Sequence, residues 1–229
     1  TLVALQDLAK FDRKKITGDV VGITGSVGKT TTKDILFSSL RNLTEVHVSK
    51  LSYNNELGLP LTILAAEDST KHLILEMGAR GPGQIAELAK IASPTIGIIT
   101  RVASAHTEFF RDIDHIAETK GALIESLPSS GTAILNNDDP RVAEMAKRTD
   151  AGIVTYGLEN ATVTATNISM ETDLTTSFQI TTPWGTADSR INIPGVHNVT
   201  NALAAISAGP SMGFGLEDLC LSLADIGLS

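Results

Sequence analysis

A chain of 229 residues is one large domain or two small ones, and 42% apolar against 19% charged residues exclude a disordered chain. A net charge of −8 excludes a general nucleic-acid binder, although residues 1–50 alone carry eight Lys/Arg against five Asp/Glu. The single Cys220 excludes an intrachain disulfide or a cysteine zinc cluster and fits a cytoplasmic, reducing compartment, while neither a membrane span nor a signal peptide is expected.

Residues 1–17 read as a linker or helix. Residues 20–24 form a short apolar strand, and 29–40 a helix with Ile35, Leu36 and Leu40 on one side. Strand 73–77, helix 83–91, strand 95–100, helix 112–127, strand 133–135, helix 141–148 and strand 153–156 follow. Strands separated by helices of this length predict an α/β fold with a mostly parallel sheet and helices on both faces. The texture changes after Gly157. Runs 162–170, 176–181 and 187–193 are Thr-rich with period-two alternation, which predicts a small antiparallel β-section with one wet face near 160–193. Pro183-Trp184-Gly185 fits its hairpin turn, and helix 197–208 closes the fold.

The strongest motif is Thr24-Gly25-Ser26-Val27-Gly28-Lys29-Thr30-Thr31, between the first strand and the first long helix. Its glycines let backbone N–H groups close around phosphate oxygens, Lys29 supplies charge, and the Thr30 hydroxyl suits Mg²⁺. The position five before Gly28 is Ile23, so this is not the full Walker spacing. Glu76 ends the next strand, where ligands of open parallel sheets bind. It is a metal ligand or water-holder there, or an ordinary acid paired with an Arg such as Arg80. His106 follows the third strand in a similar place, although a lone loop histidine is more often a surface residue. The 136–140 turn, Asn-Asn-Asp-Asp-Pro, reads as a helix cap. Asn54 and Asn55 precede a Gly58/Pro60 turn, and Asn198 and Asn201 share one helix face, Asn198 as a cap or a reader of an adenine edge. Lys120 falls on the apolar stripe of its helix with Ile113, Ile116 and Ile124. It must snorkel, pair with an acid such as Glu76, or lose its charge.

Taken together and in this order, these segments resemble the Mur ligase family, ATP-dependent enzymes that add amino acids to the peptidoglycan precursor. The Thr-Gly-x-x-Gly-Lys-Thr loop, Glu76, His106, Lys120 and the Pro194-Gly195-Val196-His197-Asn198 run carry the likeness. Residues 54–62 and 75–79 are similar to the member that adds D-alanyl-D-alanine. The chain departs from the family at Val27 (often Asn or Ser), Leu51 (usually Gly) and Arg101 (commonly Asn).

The resemblance implies a P-loop-type central ATP-binding domain over residues 1–229, divided as 18–158 parallel, 159–193 antiparallel and 194–229 closing helices. The family's N- and C-terminal domains are expected to be missing. It implies ATP held by Thr24–Thr31 and Asn198, one Mg²⁺ on Thr30 and Glu76, and a second on His106 and Lys120 as a carbamate. Lys29, Glu76, His106 and Lys120 are the implied catalytic group, and Asn54 and Asn55 face substrate. The implied substrates are UDP-MurNAc-tripeptide and D-Ala-D-Ala, joined through an acyl phosphate, with the isolated domain inactive as a ligase. Another Mur ligase, a folylpolyglutamate synthase, or a non-catalytic nucleotide-binding module are the alternatives.

Overall fold

The computed structural model of the protein describes residues 1–50, 52–104 and 110–226. Helix α1 (Leu2–Arg13) leads to β1 (Val20–Thr24), α2 (Lys29–Leu40), β2 (Val46–Val48), α3 (Gly58–Leu64) and β3 (His72–Glu76). Then come α4 (Gln84–Ala92), β4 (Ile96–Ile99), α5 (Ile113–Glu125), β5 (Thr132–Asn136), the short α6 (Pro140–Ala143) and β6 (Gly152–Gly157). The strands β7 (Val163–Met170), β8 (Thr176–Thr182) and β9 (Gly185–Ile191) precede α7 (Val196–Ile206) and α8 (Leu216–Leu221).

Among the described residues nine strands join one sheet in the order β2-β3-β1-β4-β5-β6-β7-β8-β9. Pairing is parallel as far as β7 and antiparallel from β7 to β9. The expected mixed α/β sheet is therefore what the chain forms. Its inner strands are buried on both faces, so they read as continuous apolar runs rather than alternating ones. Val21, Ile23, Ile74, Ile98 and Ile134 face one core with α2, α7 and α8. Val20, Leu73, Leu75, Ile99 and Leu135 face the other with α3, α4 and α5.

Two elements were not expected. The edge strand β2 is three half-buried residues, too short for a periodic signal. The Gly58/Pro60 turn is instead helix α3. Pro60 sits in its first turn, where no intrahelical N–H bond is lost, and Asn55 Oδ1 accepts from the N–H groups of Leu57 (3.2 Å) and Gly58 (2.8 Å). The helix expected over 141–148 divides into α6 and a 3₁₀ turn from Glu144 to Arg148. Asp112 and Asp139 cap α5 and α6 through side chains that accept from His115 and Arg141 N–H groups.

β1 lies between β3 and β4, with the chain turning outward to opposite sides from it. That reversal opens a crevice at the carboxyl ends of these three strands, and the motif residues converge there.

Candidate functional site

The loop leaving β1 is shaped by backbone conformation. Gly28 has φ +88°, and a Cβ there would lie 2.5 Å from Asn201 Oδ1; a Cβ on Gly25 would lie 1.8 Å from Thr100 Oγ1. Only glycine fits either position. The loop is also pinned from outside. Thr24 Oγ1 donates to the Met77 carbonyl (2.8 Å), and Thr100 Oγ1 donates to the Val27 carbonyl (2.6 Å). The Ser26 N–H donates to the Arg101 carbonyl (2.6 Å), while its hydroxyl donates to the Ala103 carbonyl (2.9 Å) and accepts from the Ala103 N–H (3.0 Å). Ser26 thus spends its side chain on the loop after β4, while Val27 is exposed. The first turn of α2, with Lys29, Thr30 and half-buried Thr31, points its open N–H groups into the crevice.

Two lysines meet at one carbonyl. Lys29 Nζ and Lys120 Nζ donate to Gly25 O at 3.0 and 2.9 Å, so the two nitrogens lie within about 6 Å of each other. Burial lowers the Lys29 pKa, with Glu76 opposing. Burial, and then the Lys29 charge, lower that of Lys120 to about 7. The acid partner considered for Lys120 is not what it finds; it binds the loop backbone.

Glu76, 2% exposed, is held by both oxygens. Thr30 Oγ1 donates to Oε2 and Asn54 Nδ2 to Oε1, each at 2.8 Å, so Arg80 is not the partner. Asn54 therefore orients the carboxylate, and Asn55 anchors α3 while lining the same cavity. This cavity, about 580 Å³, is walled by Lys29, Asn54, Arg80, Phe110 and Lys120. A hydroxyl and a carboxylate oxygen 2.8 Å apart are hard oxygen donors of the type Mg²⁺ takes, with phosphate and water completing the shell. Among the described residues no three His, Cys, Asp or Glu side chains form a metal cluster. As an ammonium, Lys120 offers a cation no ligand. His106 lies outside the described residues.

A second cavity, about 350 Å³, opens on the other side of the loop between Val27, Arg101, Asn136, Tyr156 and His197. Asn198 is not an N-cap; its Nδ2 donates to the Pro194 carbonyl (2.8 Å), and its Oδ1 accepts from Asn201 Nδ2 (3.3 Å). Sequence reasoning read Asp139 only as a cap. Its Oδ2 also accepts from the Val102 N–H (2.8 Å), and the buried Tyr156 hydroxyl donates to the Ile99 and Thr100 carbonyls. Both brace the exit of β4, Asp139 from the turn after the neighbouring β5 and Tyr156 from β6 two strands away, a relation no local pattern announces.

The fold and this crevice define a nucleotide-binding α/β domain. The chain matches the Mur ligase middle domain over residues 23–209 and belongs to that family. It is 42% identical over 205 residues to the UDP-N-acetylmuramoyl-tripeptide–D-alanyl-D-alanine ligase of Mycobacterium bovis, covering 89% of this chain and 40% of that protein. A crystal structure of MurF from Acinetobacter baumannii superposes with a TM-score of 0.95 at 31% identity, covering all of this chain and 51% of the other. MurF from Thermotoga maritima in complex with ADP gives 0.87 at 31% identity, over 96% and 52% of the two chains. The chain thus spans about half the length of the relatives it matches.

Proposed function

We propose that this chain is the ATP-binding domain of a carboxylate–amine ligase that adds D-Ala-D-Ala to UDP-MurNAc-tripeptide in the cytoplasm. The observation that carries the reading is the convergence of Lys29, Thr30, Glu76 and Lys120 on the loop after β1, in a chain 42% identical to a ligase of that name. The tripeptide carboxylate attacks the γ-phosphorus of ATP and ADP leaves. The D-Ala-D-Ala amine then attacks the acyl carbon of the acyl phosphate, releasing phosphate and a proton as the amide forms. A carboxylate and a triphosphate repel, so the site must supply positive charge and fixed N–H donors where negative charge gathers.

The Lys29 ammonium and the open N–H groups of the α2 first turn supply that charge to the phosphates. The base occupies the smaller cavity between Asn136, Tyr156 and His197, and the acceptor carboxylate approaches through the larger one past Asn54 and Asn55. Thr30 and Glu76 would hold Mg²⁺, which would neutralise the phosphate oxygens. Burial and the Lys29 charge lower the Lys120 pKa to about 7, which makes available at neutral pH the uncharged amine that CO₂ requires. Its nitrogen bonds to the carbon of CO₂ and loses a proton, and the carbamate oxygens then suit a second Mg²⁺ together with His106. The domain alone binds ATP and does not ligate, because positioning of both acceptors by the rest of a full-length enzyme is worth roughly 7–11 kcal/mol of barrier.

Calorimetric titration of ATP into this chain with Mg²⁺, comparing Lys29→Ala, tests the reading. Loss of binding with an unchanged circular dichroism spectrum is expected; equal affinity in the variant refutes the phosphate-loop assignment.

A further inference from the structure

The edge strand β2 stops one rung early. In the parallel ladder the His72 N–H bonds the Glu45 carbonyl (3.2 Å) and the Ser49 N–H bonds the Ile74 carbonyl (3.0 Å). Continued regularly, the next rung would give the Glu76 N–H to the Ser49 carbonyl. That carbonyl instead accepts from Lys33 Nζ at 3.0 Å, and the Glu76 N–H goes to Ser49 Oγ at 3.2 Å. Both Lys33 and Ser49 are 1% exposed, and Lys33 Nζ is 3.1 Å from Asp34 Oδ1.

Thr30 and Lys33 are three apart on α2 and so share a face. Thr30 holds the Glu76 carboxylate, and Lys33, through Ser49, holds the Glu76 backbone. Both ends of Glu76 are therefore referenced to the helix that carries Thr30. A plain ladder rung would have satisfied the same backbone groups without burying a lysine. A buried ion pair is also a weak source of stability, since apolar residues of similar volume often replace it at no loss. Orientation is what the arrangement adds.

We propose that Lys33 and Ser49 are positioning residues that fix Glu76 relative to Thr30 in the geometry that takes a divalent cation. This rests on the reading that Thr30 and Glu76 hold Mg²⁺. The test titrates Mg²⁺ into this chain at fixed ATP, and in parallel measures ATP affinity in EDTA. Ser49→Ala removes the acceptor of the Glu76 N–H; the Mg²⁺ concentration for half-saturation is expected to rise about fivefold, the scale of one hydrogen bond, with metal-free ATP affinity unchanged. Ser49→Thr keeps the hydroxyl and restores the wild-type value. The pair Lys33→Met with Asp34→Asn removes the tether without stranding a charge, and gives the same shift where Ser49→Ala does not fold.

Equal Mg²⁺ requirement in these variants and wild type overturns the proposal, as does parallel weakening of metal-free and Mg²⁺-dependent binding, which marks a merely structural role. Glu76→Gln separates the two readings. If it leaves the Mg²⁺ requirement unchanged, the metal assignment itself falls. If it raises the requirement and Ser49→Ala does not, only the positioning role falls.

Discussion

Replacing Lys120 by Met should make the protein more stable. The Lys120 amine has a pKa of about 7 in the fold against 10.5 unfolded, because burial and the Lys29 charge penalise its ammonium. A folded pKa below the unfolded one means the unfolded chain binds the proton more tightly. The penalty is therefore full below pH 7 and relieved as pH rises toward 10.5. At pH 7 it is on the order of 4 kcal/mol, and at pH 9 about 2 kcal/mol. Met has similar length and no charge. The substitution forfeits the bond to the Gly25 carbonyl, about 1 kcal/mol, while Lys29 still donates to that oxygen. A net gain of about 3 kcal/mol at pH 7, falling to about 1 kcal/mol at pH 9, is expected. Urea unfolding of both proteins in CO₂-free buffer, so that the amine stays free, measures it. A less stable variant, or a difference that does not change with pH, would refute the argument that the site holds Lys120 against its preferred charge.

Gly28→Ala forces an alanine to φ +88° and its Cβ to 2.5 Å from Asn201 Oδ1; a loss of about 1–2 kcal/mol in thermal unfolding and weaker ATP binding are expected. His72 accepts from the Asp19 N–H at 2.9 Å, and burial lowers its pKa below 6.5 despite Asp19. Its contribution is therefore present above pH 6.5 and lost as pH falls toward the folded value, so His72→Gln should flatten the pH dependence of the unfolding midpoint between pH 7 and 5.

What could be read from the amino-acid order alone follows the range over which each signal acts. The inner strands are unmistakable because burial on both faces leaves no polar position in Val20–Ile23 or Leu73–Leu75. The phosphate loop is legible because its chemistry sits in one contiguous run. Helix α3 was hidden by Pro60, which usually stops a helix yet is harmless in a first turn. Lys120 was visible as a misfit on an apolar stripe, but its acceptor, the Gly25 carbonyl, is 95 residues away. Ser49 has the same difficulty. Nothing near it in the chain signals that its hydroxyl stands in for a strand rung, because that rung belongs to β3.

Helix α7 has one more consequence. It packs on α2, and Thr32 Oγ1 reaches Asn201 Oδ1 at 3.5 Å across 169 residues of chain. On a ribosome adding 5–20 residues per second, the phosphate loop leaves about 10–30 s before the segment that walls its far side. A nascent chain therefore carries a loop missing one wall until nearly the whole domain has been made. A chain truncated before Val196 lacks the helix that brings Asn201 to Gly28.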